Sequence, residues 1–151
     1  MKDEIFLWVL NLEIASKEKD KELCEVWDLE RFTPTGFEGK LLYKNRMGPD
    51  AEAAGHYHGK KKEIFFILSL KGKLMFTFIE ILDGKVGERK AKVELSASKV
   101  LINGRKYFLS LQIEPNILHI VNNYGKTSVL LGVVADRSYD WKDDFRVEAA
   151  S

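Results

Sequence analysis

Histidine is scarce in this chain, and its placement is uneven. Two of the three histidines stand one residue apart in Gly55-His56-Tyr57-His58-Gly59, Glu63 follows five positions later, and the third is His119 in "EPNILHIVNN". On a β-strand residues i and i+2 face the same way, roughly 6–7 Å apart, so His56 and His58 can converge on one ion. An odd separation would turn Glu63 to the other face of an unbroken strand. Gly59 and Lys60-Lys61-Lys62 supply the turn or bulge that resets the register. Pro115-Asn116 is a turn pair in which Asn tolerates the left-handed conformation, and a hairpin there would return His119 beside the first pair. Three imidazoles and a carboxylate form an N3O donor set suited to Fe(II), Mn, Ni, Co, Cu or Zn, with room for substrate or water. The competing reading makes His56 and His58 rim residues of a pocket that holds no metal.

The elements that must position these groups read as strands. "EIFFILSL" (63–70) and "KLMFTFIEIL" (73–82) are rich in Phe, Ile and Leu, and Lys71-Gly72 between them reads as a hairpin. Asp83-Gly84 marks the next turn, and "RKAKVEL" (89–95) alternates weakly. "KVLI" (99–102) meets Asn103-Gly104, a tight-turn signal, and then "RKYFLSLQIE" (105–114). "TSVLLGVVA" (127–135) is a last buried strand, and "EIFLWVLNLEI" near the start is a further one. The charged run "SKEKDKEL" (16–23) reads as a loop or single turn, and "DWKDDF" (140–145) as a terminal turn. Short strands at this spacing point to an all-β sandwich or barrel.

The length of 151 residues fits one domain, and 45% apolar residues suffice for a core. Lys and Arg (24) nearly balance Asp and Glu (23), which leaves no electrostatic footprint for nucleic acid. No apolar run approaches the ~18 residues that would span a bilayer, and the start of the chain does not read as a signal peptide. The single cysteine, Cys24, suits a reducing compartment, so a cytoplasmic protein is expected.

The two histidine segments resemble the motifs of the cupin superfamily. Its first motif runs Gly, His-x-His, three or four residues, then Glu, matched by Gly55, His56, His58 and Glu63. Its second, Pro-Gly-x-x-His-x-x-x-Asn, is matched by Pro115, His119 and Asn123, with Asn116 in place of the glycine. The resemblance covers residues 40–136. It implies a cupin-type double-stranded β-helix, a jelly-roll barrel with the metal in its mouth, an N-terminal extension (1–39) that contributes an edge strand, and a C-terminal tail (137–151) with a short turn. It also implies one divalent transition metal ion per chain, held by His56, His58, Glu63 and His119, and a homodimer.

Within the superfamily, Ala135, Tyr139, Asp140, Asp143 and Arg146 are similar in spacing to the ending of the nucleotide-sugar 3,4-ketoisomerases. Those enzymes use glutamine where Glu63 stands, and the carboxylate here favours a metal. "GHYHGKKKEIFF" also resembles the cupin domain of capsular-sugar reductase/epimerase proteins, which keeps a metal set. His56 matches the base of the deoxysugar 3,5-epimerases, but Leu130–Val134 lacks their tyrosine, so that chemistry is not expected.

The resemblance thus implies an isomerase or epimerase of a nucleotide-activated or phosphorylated sugar, an anionic small molecule. A 4-keto sugar needs a base, enediolate stabilisation and an acid. The candidates are His56, His58, Glu63, Tyr57, Tyr107 and Tyr43. Arg46 and Arg105 are candidates for a phosphate, and Trp27 and Tyr139 for stacking. The lysine run 60–62 reads as a solvated turn. A mononuclear iron cupin oxygenase on a small organic substrate and a non-catalytic binding cupin are the alternatives.

Overall fold

The computed structural model describes the backbone of residues 7–12, 14–18, 21–26, 37–102 and 105–147, and the side chains of 37–98 and 109–147. In chain order the strands begin β1 (Leu7–Leu12), β2 (Ile14–Glu18), β3 (Lys21–Val26), β4 (Leu41–Met47) and β5 (Glu52–Tyr57). They continue with β6 (Glu63–Ser69), β7 (Leu74–Leu82), β8 (Lys85–Leu95) and β9 (Lys99–Ile102). The last are β10 (Arg105–Ile113), β11 (Ile117–Asn123), β12 (Val129–Ala135) and β13 (Phe145–Arg146), with a 3-10 turn at Trp141–Asp143 before β13. Among the described residues no helix is long and apolar enough to cross a membrane.

Among the described residues every strand pair is antiparallel. One sheet runs β1-β10-β6-β12-β4 with β9 also on β10, and the other runs β13-β5-β11-β7-β8. The two sheets face each other as in the jelly roll expected from the sequence, and among the described residues they do not close into a hydrogen-bonded barrel. The N-terminal edge strand is present as β1, paired with β10. Residues 16–18 and 21–23 of the charged run, read from the sequence as a loop or single turn, lie instead on the paired strands β2 and β3.

Two expected hairpins are crossovers. β6 pairs with β10 and β12, whereas β7 pairs with β8 and β11, so the chain changes sheets at Lys71-Gly72. It does so again at Pro115-Asn116, where Asn116 adopts φ 61°. A short turn signals a reversal but does not say which sheet receives the next strand. Asp83-Gly84 is a true hairpin turn, with φ 49° and 74° as a type I′ turn requires.

Alternation places the core. Leu74, Phe76 and Phe78 of β7 point inward against Phe65 and Ile67 of β6 and Leu131 and Val133 of β12. β6 is buried on both faces, because Ile64 and Phe66 pack outward with Val134 in a second cluster. Each such fully buried side chain contributes roughly 1.5–3 kcal/mol.

Asn123, fully buried, ties the loops at the end of β11. Its Nδ2 donates to the carbonyls of Met47, Gly48 and Thr127, and its Oδ1 accepts from Gly125 N–H at 2.9 Å. Replacing it leaves that N–H and those carbonyls without a side-chain partner. Asn123→Ala is expected to lower unfolding stability by about 2 kcal/mol or more in urea titration; a loss below about 0.5 kcal/mol would show that water replaces the network.

Candidate functional site

The antiparallel β5–β11 pair brings the histidines together. His119 stands opposite His56, and the register shifts by one residue immediately beyond them. The extra residue is accommodated at Ala54 and Gly55, both at positive φ (66° and 80°). This bulge re-aims the end of β5 so that His56 and His58 share one face. Ring centroids are 4.8 Å apart for His56–His58 and for His56–His119, and 5.9 Å for His58–His119. Glu63 opens β6 in the facing sheet and is buried. One donor atom from each of the four residues lies within 4.8 Å of the other three.

Backbone carbonyls orient two of the rings. His58 Nδ1 lies 2.8 Å from the Asp143 carbonyl and His119 Nδ1 lies 3.1 Å from the Ile117 carbonyl. A carbonyl only accepts, so each Nδ1 carries a proton, and in the neutral form of either ring the Nε2 lone pair turns inward. Tyr43 donates to Glu63 Oε2 at 2.5 Å, which leaves Oε1 facing the rings. Oε1 is 2.9 Å from His58 Nε2 and 3.6 Å from His119 Nε2; with both rings neutral and protonated at Nδ1 these are contacts between acceptors, and no atom among the described residues donates to them.

Electrostatics keep the group in ligand-competent form. Burial and then the neighbouring His119 push His56 down to about 4, against the pull of Asp144. Burial also lowers His119, opposed by Glu63. Burial disfavours ionised Glu63, but a hydrogen bond from His58 and positive charge on His119 when those rings are protonated, together with the Tyr43 hydroxyl and Lys61, outweigh it and hold the carboxyl at about 2. Tyr43 is raised far above an ordinary phenol by burial and by Glu63, so it stays protonated and is a donor, not a base, at neutral pH.

The C-terminal segment straps the site. β13 pairs with β5, Arg146 opposite His56, and the Arg146 guanidinium reaches the carbonyl of Ala54. Asp140 caps the 3-10 turn by accepting from Lys142 N–H. The Asp143 carboxylate accepts from the backbone N–H groups of Gly59, Lys60 and Lys61 at 2.9–3.2 Å. One residue thus orients His58 through its carbonyl and fixes the following loop through its side chain.

That clamp changes the reading of the lysine run. Lys60 is exposed and Lys62 half-buried, but Lys61 is turned inward and buried, so the run is not a solvated turn. Tyr57, one residue out of phase with the histidines, packs with Ile81 and Leu118 and stacks on Phe145 at 5.1 Å, away from the donor set. Arg46 is exposed on the face of β4 opposite Tyr43 and Asn45 and does not line the cavity. Both placements follow from strand alternation. The side chains of Arg105 and Tyr107, and all of Trp27, lie outside the described residues.

A cavity of about 410 Å³ opens beside the histidines. Leu41, Tyr43, Phe65, Val121 and Leu131 contribute apolar walls, and the largely exposed Tyr139 stands at its rim. His56, His58, Lys61 and Asp144 supply the charged and polar part. Sequence reasoning missed Lys61, Asp144 and the clamping role of Asp143; only the Tyr-Asp-x-x-Asp-x-x-Arg spacing drew attention to that segment.

Asp143→Ala removes the acceptor of three backbone N–H groups. It is expected to cost about 2 kcal/mol or more in chemical unfolding, and to raise amide hydrogen exchange at Gly59, Lys60 and Lys61. Unchanged protection at those amides would contradict the clamp.

No protein-family model matches the chain, and no curated protein matches it. Solved structures do. The sugar 3,4-ketoisomerase QdtA from Thermoanaerobacterium thermosaccharolyticum, in complex with TDP, superposes with a TM-score of 0.66 at 19% identity, covering 95% of this chain and 88% of that one. A dTDP sugar isomerase from Desulfovibrio desulfuricans gives 0.67 at 15% identity, covering 95% and 85%. The capsular polysaccharide assembling protein CapF from Staphylococcus aureus gives 0.54 at 19% identity over 76% of this chain and 28% of that chain. At these identities the shared property is the fold.

Proposed function

We propose that the chain is an isomerase of a nucleotide-activated keto sugar, and that His56, His58, Glu63 and His119 hold one divalent transition metal ion. The observation that carries the reading is a buried set of inward lone pairs. His58 Nε2, His119 Nε2 and Glu63 Oε1 are buried and, among the described residues, without hydrogen-bond partners. Leaving polar atoms so placed is costly unless a cation meets them. Carbonyl-bonded Nδ1–H groups behind ligating Nε2 atoms are the usual support of a metal-bound imidazole. The residues present therefore fit a divalent ion, which would supply Lewis-acid stabilisation of a substrate oxygen.

Burial divides the remaining work. The side chains of His58, Glu63 and His119 are 6%, 1% and 1% exposed, whereas that of His56 is 17% exposed and borders the cavity. Asp144 Oδ1 lies 3.6 Å from His56 Nδ1, also without a hydrogen bond. On this reading Asp144 accepts a proton taken from the carbon beside a ketone and returns it to the neighbouring carbon, a role supported by its position on the cavity wall. The apolar walls accept the sugar ring and limit water around it. The fold shared with QdtA supports the substrate class, since a mutant of that enzyme is known in complex with TDP-4-keto-6-deoxyglucose.

The partial exposure of His56 beside Asp144 favours one second reading. Without a metal, His56 itself takes the proton, with Asp144 behind it stabilising the imidazolium.

Elemental analysis of protein purified without chelator is expected to find about one transition ion per chain, lost in His119→Ala. Incubation with TDP-4-keto-6-deoxyglucose in deuterated water is expected to give deuterium beside the ketone. Metal far below stoichiometry after reconstitution, with exchange intact, selects the His56–Asp144 reading. No exchange under any metal condition removes the isomerase.

A further inference from the structure

Lys61 is the one lysine of its run that the fold turns inward. Its backbone N–H is fixed on Asp143 and its side chain lines the cavity wall beside His58. That side chain is 9% exposed. A buried ammonium is costly unless it is both neutralised and hydrogen-bonded. Glu63 supplies only the first. Nζ lies 3.9 Å from Glu63 Oε2, beyond hydrogen-bond reach, and that oxygen already accepts from Tyr43. Among the described residues Nζ has no hydrogen-bond acceptor, whereas the neighbouring Lys62 ammonium pairs outward with Glu114 at 3.7 Å. Among the described residues Lys61 thus presents donors to the cavity with no atom to receive them.

We propose that Lys61 Nζ forms an oxyanion subsite, which holds the substrate oxygen that gains negative charge when the adjacent C–H bond is broken. This rests on the keto-sugar reading above for the identity of that oxygen. In the step, the C–H electron pair becomes the C=C bond and the carbonyl π pair moves onto oxygen. The proton passes to Asp144, or to His56 in the metal-free case, and Lys61 donates a hydrogen bond without surrendering its proton. The proton then returns to the former carbonyl carbon, while the adjacent hydroxyl passes its proton to the enolate oxygen and becomes the new carbonyl, so one carbon is reduced as its neighbour is oxidised and no external oxidant or reductant is needed. Donors aimed at a developing charge act most strongly where water is excluded. The subsite also sets a ligand class: planar oxygen anions small enough to lie beside the histidines.

Oxalate, a planar dianion resembling an enediolate, is the probe, titrated calorimetrically into the protein as purified with metal content measured on the same samples. Lys61→Met is expected to weaken oxalate binding at least about tenfold, the share of one charge-assisted hydrogen bond. Lys61→Arg is expected to recover most of the affinity, with metal content and thermal midpoint unchanged in both. Equal oxalate affinity in wild type and Lys61→Met overturns the subsite, as does a wild type that binds no oxalate. Loss of metal in parallel with oxalate in Lys61→Met also overturns it, because Lys61 would then serve only to neutralise Glu63. Should Lys61→Met not fold, Lys61→Gln, which keeps a donor but not the charge, is read the same way. Deuterium exchange in the wild type is scored separately. Its absence with a positive oxalate result refutes the isomerase and leaves the subsite standing.

Discussion

The site depends on a buried carboxylate and three imidazoles held with their acceptor atoms turned toward one another. Such an arrangement repels itself unless something positive stands within it. Two main-chain carbonyls enforce it, because Asp143 O and Ile117 O each bind an Nδ1–H and so leave His58 Nε2 and His119 Nε2 bare. Tyr43 does the same for Glu63 by occupying Oε2. The rest of the structure can be understood as support for that constraint. The bulge at Ala54–Gly55 aims β5, the β5–β11 register sets His56 against His119, and the crossover after β10 delivers β11 to the facing sheet.

The C-terminal segment has a larger part in this support than its length suggests. Asp143 joins the His58 ring to the loop that carries Lys61, and β13 lies along β5 beside His56. Tyr139 and Asp144, from the same segment, reach the cavity. A motif that resembles a family signature therefore has a physical explanation in this chain. Tyr139 borders the cavity, whereas Asp140, Asp143 and Arg146 hold backbone.

The parts legible in the sequence were those with short-range causes. Strand alternation placed His56 and His58 on one face, the φ tolerance of Asn116 was realised at 61°, and Asp83-Gly84 formed its hairpin. The N-terminal strand and terminal turn also lie where residue type put them. What was not legible depends on distant partners. Lys61 looks like its neighbours until Asp143, more than eighty residues away, fixes the loop. Lys71-Gly72 and Pro115-Asn116 look like hairpins because turn chemistry is blind to which sheet the next strand joins. Tyr57 and Arg46 were attractive by type, and alternation, applied to the histidines, also excludes both from the cavity.

The most direct measurement is long-range 15N–1H NMR of the histidine side chains at neutral pH, before and after one equivalent of Zn(II). His58 and His119 should be Nδ1–H tautomers in the free protein, and both Nε2 resonances should shift together as the ion is added. An Nε2–H tautomer at either ring, or Nε2 signals indifferent to the ion, would contradict the convergence on which the site depends.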